Sequence, residues 1–394
     1  MISEIQADAT EQCGDRITEY LLSVSRGRRG LAPMLLRTAL GAFAPVYCVG
    51  LKTYLLPYNV GLRKRTKLPC KVISIGNLTT GGTGKTPMTQ MLCRLLTASR
   101  RKVAILSRGY GGKLEHGCAI VSDSKRVWLN AQEAGDEAYL LARTLPGIPV
   151  LIGKDRRVSG MRAVEEFDPD IIVLDDGMQY WQLHRDLDIA LLNACEPFDN
   201  GWTFPRGLLR EPPSHLARAG IVVLTNIRRA GMDQVQDVIQ HVRRLAPGRP
   251  IFTADLAPTG LWNVSTGQEL GVEWLESRRV AAVSAIGNPA SFESMIGESG
   301  GILARRFRFR DHHPISLTDL EKICLESRAV GAEAIVVTAK DAVKLPLLKD
   351  SLPIMALQVT MKVDEDSENL FWCTLIEALH DWREEDYNKV DRTG

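Results

Sequence analysis

The sequence predicts an α/β fold with a mostly parallel sheet, on three observations. Short apolar runs recur between Lys71 and about Thr253: residues 71–75, 103–106, 149–152, 171–174, 189–192, 221–224 and 251–252. Most lack polar alternation, as strands buried on both faces should. Helix-like segments lie between many of them, for example 136–143 and 155–166, which puts helices on both sides of the sheet. A glycine-rich loop joins the first run to a helix-like stretch at 88–96.

That loop reads Ile75-Gly76-Asn77-Leu78-Thr79-Thr80-Gly81-Gly82-Thr83-Gly84-Lys85-Thr86-Pro87. Strand, glycine loop, Lys-Thr and helix together are the layout of a phosphate-binding P-loop, so the core is expected to be of the P-loop NTPase type. The backbone N–H groups of residues 79–86 can turn inward around a polyphosphate, and the helix N-terminus adds positive potential. Lys85 is placed to reach the β/γ-phosphates of ATP, and the Thr86 hydroxyl to ligate Mg²⁺. The usual first glycine is replaced by Thr79. The related Lys-Gly-Gly-x-Gly-Lys-Thr pattern of partitioning ATPases would need Lys where Thr80 stands.

A second motif follows about ninety residues on. Asp170-Ile171-Ile172-Val173-Leu174-Asp175-Asp176 is an apolar strand ending in acid, the Walker B form. Adjacent carboxylates repel unless a cation neutralises one, which favours Asp175 or Asp176 as a Mg²⁺ ligand. Ser107-Arg108-Gly109-Tyr110-Gly111-Gly112 allows close approach of a ligand or is simply a turn. Gly135-Asp136-Glu137 opens a helix, so Asp136 is either a cap or, facing the nucleotide, a catalytic base.

Beyond residue 253 the texture changes. Pro258-Thr259-Gly260 and Ser265-Thr266-Gly267 are turn signals, expected to mark a β-ribbon-like linker over 254–278. A second, smaller α/β domain (279–394) follows, with strands near 280–284, 335–338 and 354–358. Arg306-Phe307-Arg308-Phe309 reads as another, leading into Asp311-His312-His313, where an imidazole can orient or receive a proton. The expected division is completed by an N-terminal extension (1–30), a membrane-associating helix with a basic linker (31–67) and the P-loop core (68–253). Within 31–56, Leu36, Leu40, Phe43, Tyr47, Leu51 and Tyr54 fall on one helical face, and Arg26, Arg28, Arg29, Arg63, Lys64, Arg65 and Lys67 flank it. Such a stretch lies in an anionic membrane surface or packs on its own domain. Its uncharged part, 39–51, is shorter than the about 20 residues a bilayer span needs, and Pro45 is expected to kink it.

Bulk properties bound the rest. A chain of 394 residues with 45% hydrophobic content supports two domains. A net charge of +2 implies no nucleic-acid partner. Eight scattered cysteines, with no Cys-x-x-Cys pair, suggest neither a zinc site nor a disulfide framework. Acidic residues in the first 24 positions, including Glu4, Asp8 and Glu11, argue against a secretory or transit peptide.

As a set, these motifs resemble the tetraacyldisaccharide 4′-kinases, which phosphorylate lipid A precursors in Gram-negative bacteria. The resemblance spans about residues 30–345 and runs through 76–87, 107–110, 135–137, Gly153-Lys154-Asp155-Arg156-Arg157, Leu174-Asp175-Asp176-Gly177-Met178-Gln179-Tyr180, Leu209-Arg210-Glu211-Pro212, Gly287-Asn288-Pro289, 311–313 and 338–343. It implies ATP and Mg²⁺ as cofactors, and transfer to the 4′-hydroxyl of a tetraacylated glucosamine disaccharide 1-phosphate. The acceptor is held in the membrane, so the resemblance also implies a place at the cytoplasmic face of the inner membrane, peripheral or anchored by the N-terminal helix. Roles follow: Lys85 on the phosphates; Thr86, Asp175 or Asp176, and Glu211 on Mg²⁺; Asp136 as base, supported by His312; Arg210 on phosphate charge; Lys340 and Asp341 near the nucleotide. The chain departs from the family where Met178 and Tyr180 replace Phe and His, where Ala138 replaces Pro, and across 202–207.

Overall fold

The structure is a computed structural model that describes residues 20–379, apart from 22, 26, 312, 347 and 349–351. Most of the expected extension 1–30, the C-terminal residues 380–394 and His312 therefore lie outside the described residues. The chain enters through α1 (Leu31–Asn59). The first half then follows as β1 (Lys71–Gly76), α2 (Lys85–Ala98), β2 (Val103–Ser107), β3 (Cys118–Ser122), α3 (Ala131–Ala134), α4 (Asp136–Thr144), β4 (Val150–Gly153), α5 (Arg156–Phe167), β5 (Ile171–Asp175), β6 (Leu187–Asn193), β7 (Ile221–Thr225), α6 (Ile227–Ala230), α7 (Met232–Leu245) and β8 (Ile251–Asn263). The second half adds β9 (Glu269–Leu270), β10 (Arg279–Ser284), α8 (Pro289–Glu298), β11 (Ile302–Arg308), α9 (Leu317–Ala329), β12 (Ala334–Thr338), α10 (Ala339–Ala342), β13 (Ile354–Val363) and α11 (Glu365–Ala378).

Among the described residues thirteen strands join one sheet, ordered β11-β10-β12-β13-β8-β7-β6-β1-β5-β2-β4-β3, with β9 paired to β8. The apolar runs are buried on both faces because helices cover both. On one face α2, α4 and α11 pack over Ile73, Ile105, Val173 and Val223. On the other, α5 covers Val72, Ala104 and Ile172, and α7 covers Ala190 and Val222. Around the second half, α9 and α8 take opposite faces.

Pairing is parallel except at β3–β4, β8–β9 and β8–β13. Where a β-ribbon-like linker was expected, β8 pairs antiparallel with β13 and serves both halves. Its start pairs in parallel with β7 (Val222↔Ile251 to Thr225↔Ala254), and the remainder pairs antiparallel with β13 (Val363↔Ala254 to Met355↔Asn263). Pro258 and Gly260 sit beside a register shift opposite Gln358/Val359, so that signal marks a bulge, while Ser265-Thr266-Gly267 is the turn between β8 and β9. Because β13 runs against β8, and β12 and β10 run with β13, the carboxyl ends of the two strand sets face each other across a gap. Ligands of open α/β sheets bind beyond carboxyl ends of strands, and here two such rims meet.

Helix α1 runs through Pro45 and Pro57 without a break. Its 29 residues give about 43 Å of length. Among the described residues it is the one helix long and apolar enough to cross a membrane; the uncharged run alone underestimates it because the helix continues past Arg37 and Lys52. Leu55 and Tyr58 are buried with Trp181, and Ala44 is buried further up. Leu31, Met34, Leu35, Phe43, Val46 and Val49 remain exposed.

Candidate active site

The gap between the rims holds a cavity of about 950 Å³. The P-loop forms its floor. Gly84 has φ 85° and caps α2, and a Cβ there would come within 2.5 Å of Met361 Cε on β13. The left-handed backbone favours glycine here, whereas the Met361 methyl, at the end of a flexible side chain, could shift aside. Lys85 Nζ donates to Asn77 Oδ1 at 3.3 Å and lies 3.9 Å from Asp176 Oδ1. Thr80 to Thr86 line the cavity; Thr79 is buried and bridges to Leu209.

Strand β5 delivers the acidic pair. Asp175 is 2% exposed and accepts from Thr89 Oγ1 at 3.2 Å. Burial, then the charges of Glu137 and Asp176, push its pKa up to about 7, against the pull of Lys85. Asp176 follows in the left-handed region, φ 51°, which turns its carboxylate toward different partners. Arg210 Nη1 donates to both of its oxygens, at 3.0 and 2.8 Å. Burial alone would raise Asp176; Lys85 and Arg210 outweigh it and hold the group below the ordinary aspartate value.

Opposite them stands the start of α4. Gly135, φ 84°, lies so close to Tyr110 that a Cβ would meet its carbonyl oxygen at 2.6 Å, and this tight junction presents Asp136 and Glu137. The second half reaches across to hold them. Lys344 Nζ is 2.6 Å from Asp136 Oδ2, and Lys340 Nζ is 3.3 Å from Glu137 Oε1 and 4.0 Å from Asp311 Oδ1.

Two expected residues have other partners than expected. Glu211, read as a magnesium ligand, is 1% exposed and accepts from Trp181 Nε1 at 3.3 Å, His215 Nδ1 at 2.9 Å and the Arg218 guanidinium. Burial opposes its charge, but His215 and Arg218 bring its pKa below the glutamate norm. A carboxylate so enclosed braces the segment that carries Arg210. Asp341, read as near the nucleotide, is buried and accepts from Thr338 Oγ1 at 2.6 Å and Ala285 N–H at 2.9 Å. It ties β12 to the end of β10, while Lys340 beside it faces the cavity.

Other residues received no role from the sequence, although Glu137, Arg156 and Tyr180 stand in its motifs. Lys344 and Glu137 acquire meaning only through contacts between the halves. Arg156 looks like a surface residue at a helix start, yet it is 6% exposed, lines the cavity, and its guanidinium carbon lies 5.2 Å from the Tyr180 ring centroid. Tyr180 donates to Asp155 Oδ1 at 2.7 Å and accepts from the Arg156 N–H at 3.0 Å. His313 stacks on Phe309, 5.0 Å between centroids.

Comparison with known proteins agrees with this arrangement. A family model described as Tetraacyldisaccharide-1-P 4′-kinase matches residues 36–376. The tetraacyldisaccharide 4′-kinase of Geobacter metallireducens is 40% identical over 311 residues, covering 79% of this chain and 89% of the relative. That of Pelobacter propionicus is 40% identical over 330 residues, covering 84% and 89%. The crystal structure of LpxK from Aquifex aeolicus in complex with ATP superposes with a TM-score of 0.72 at 31% identity, covering 88% of this chain and all of that one. With a P-loop, an acidic strand end and Glu137 from the start of α4 in one cleft, and matches of this extent, the chain belongs to the tetraacyldisaccharide-1-P 4′-kinase family.

Proposed function

We propose that this chain transfers the γ-phosphoryl group of ATP to the 4′-hydroxyl of a tetraacylated glucosamine disaccharide 1-phosphate at a membrane surface. The observation that carries the reading is one cavity with three walls: the P-loop and its acidic strand end, the start of α4 held by the second half, and Tyr47, Leu51 and Tyr54 of the apolar helix α1. A water-soluble acceptor needs no such third wall. The exposed apolar face of α1 and its basic flanks suit the cytoplasmic face of the bacterial inner membrane, where the helix lies in the surface or anchors the chain.

Phosphoryl transfer depends on positioning and charge neutralisation. In this reading the amides of residues 79–86 and Lys85 hold the phosphates, and Arg210 adds positive charge beside Asp176. Thr86 with Asp175 or Asp176 would hold Mg²⁺. A hydroxyl beside two carboxylates is a hard-oxygen donor set, and burial among acids leaves Asp175 short of a cation. When bound, the metal neutralises developing charge on the phosphate oxygens. Asp136 takes the acceptor hydroxyl proton, with Lys344 fixing its carboxylate; the supporting role expected of His312 falls outside the described residues. In this division of labour, residues 68–253 hold the nucleotide and 279–394 press the base into place.

The test is label transfer from γ-³²P-ATP to tetraacyldisaccharide 1-phosphate in detergent micelles. Labelled lipid is expected, and the Lys85→Ala rate falls by about 10²- to 10³-fold. Asp136→Ala is expected to lose about 10²- to 10⁴-fold while still binding nucleotide. Phosphate released to water without labelled lipid in the wild type would overturn the reading.

A further inference from the structure

Helix α1 does more than border the cavity. Its inward face, at Ala44, Tyr47, Cys48, Leu51, Leu55 and Tyr58, rests on the segments that carry Trp181 and residues 203–211. Tyr47 stands at the centre of that contact. Its hydroxyl donates to the Arg210 carbonyl at 2.8 Å, and its ring meets Phe204 edge-on at 6.1 Å. Residues 208–210 in turn lie antiparallel to the entry of the P-loop. Arg210 N–H donates to the Leu78 carbonyl at 2.8 Å, and Thr80 N–H to the Leu208 carbonyl at 2.9 Å. The Arg210 side chain then holds both oxygens of Asp176. One hydroxyl on an apolar helix is thus two hydrogen bonds from the phosphate loop and, through Arg210, from the acidic pair.

We infer that Tyr47 is a positioning residue for phosphoryl transfer: its hydroxyl fixes residues 208–210, and so makes the geometry of the P-loop and Asp176 depend on how α1 is seated. The inference rests on the kinase reading above. It assigns to α1 a part in turnover that is separate from any part in holding the chain on lipid. A helix that only tethered the protein could lose this hydroxyl at no cost. Phe in its place keeps the ring against Phe204 and removes one donor from a half-buried carbonyl, a loss that translates to about fivefold in rate.

The test compares Tyr47→Phe and Tyr47→Leu with the wild type. Steady-state rates are measured on tetraacyldisaccharide 1-phosphate in micelles. Sedimentation with phosphatidylethanolamine–phosphatidylglycerol vesicles reports lipid binding, and amide hydrogen exchange is followed at Thr80 and Arg210. Tyr47→Phe is expected to lower kcat about fivefold with lipid KM and vesicle binding unchanged, and to speed exchange at both amides. Wild-type rate and exchange in Tyr47→Phe would overturn the inference, as would a defect confined to Tyr47→Leu, which would assign the effect to ring packing. A wild type that makes no labelled lipid would sink the kinase reading instead, and the exchange data would still decide whether Tyr47 orders the 208–210 segment.

Discussion

Asp175 and Asp341 occupy matching places in the two halves. Each is 2% exposed, and each sits at the carboxyl rim of a central strand, β5 or β12. Burial raises the pKa of both. Their neighbours differ. Asp341 accepts a backbone N–H and a threonine hydroxyl, closing a local loop that staples β10 to β12. Asp175 has one threonine hydroxyl, two acids nearby and Lys85 pulling the other way. The first anchors the backbone through Oδ2 and has Lys344 and Lys340 for neighbours, although its buried Oδ1 has no hydrogen-bond partner. The second is an electrostatic debt that a cation would settle. Burial alone therefore does not distinguish the two sites; the sign of the surrounding charge does.

The sharpest way to break this contrast is Asp175→Asn. Removing a buried, poorly compensated charge is expected to leave the melting temperature unchanged or raised, while turnover falls by about 10³-fold, comparable to losing a principal transition-state contact. A variant that melted early with its turnover intact would reverse the assignment. Asp341→Ala should do the opposite. It strands the Ala285 N–H and the Thr338 hydroxyl, both of which donate to the Asp341 carboxylate, costing about 1–3 kcal/mol of stability by denaturant melts. The turnover of its folded fraction should stay within about threefold of wild type, a bound set by half of one tenfold step per 1.36 kcal/mol.

The smallest effect separates a surface pair from both. Glu293 receives two hydrogen bonds from Arg308, each 2.7 Å, and Arg308 then Arg306 hold its pKa below the ordinary value despite burial. A depressed folded-state pKa stabilises the fold above the unfolded value of about 4.3, and that contribution disappears as pH falls through the folded value. The stability gap between wild type and Glu293→Gln should therefore be level from neutral pH to about 5 and shrink below about 4. A gap that widened on acidification would refute the assignment.

The same contrast explains what the sequence could disclose. Runs such as 171–174 and 221–224 were legible as strands because burial on both faces leaves them wholly apolar. The P-loop and Asp175-Asp176 were legible because their chemistry is local in sequence. Edge strand β3 was not picked out: Cys118-Ala119-Ile120-Val121 is apolar but short, and its first three residues are half-exposed. β11 begins at Ile302, earlier than Arg306-Phe307-Arg308-Phe309 suggested, because an edge strand tolerates arginines along its length. The Lys344–Asp136 pair joins residues more than two hundred positions apart, and no periodicity encodes it. Glu211 and Asp341 were assigned by their neighbours in sequence; the packing around each carboxylate decided their partners.

Strand β8 fixes the spacing of the whole apparatus. Both rims hang from its two ladders, one to β7 and one to β13, so the span from phosphate loop to opposing wall is set by register, in steps of residues. Sliding β13 by two residues along β8 would keep every side chain on its face and move one wall by about 7 Å. The bulge at Gln358/Val359 is the point where that count is adjusted. In this protein the strand works as a ruler, and a paired insertion or deletion at its bulge would retune the reach of the cleft toward a shorter or longer acceptor without redesigning either half.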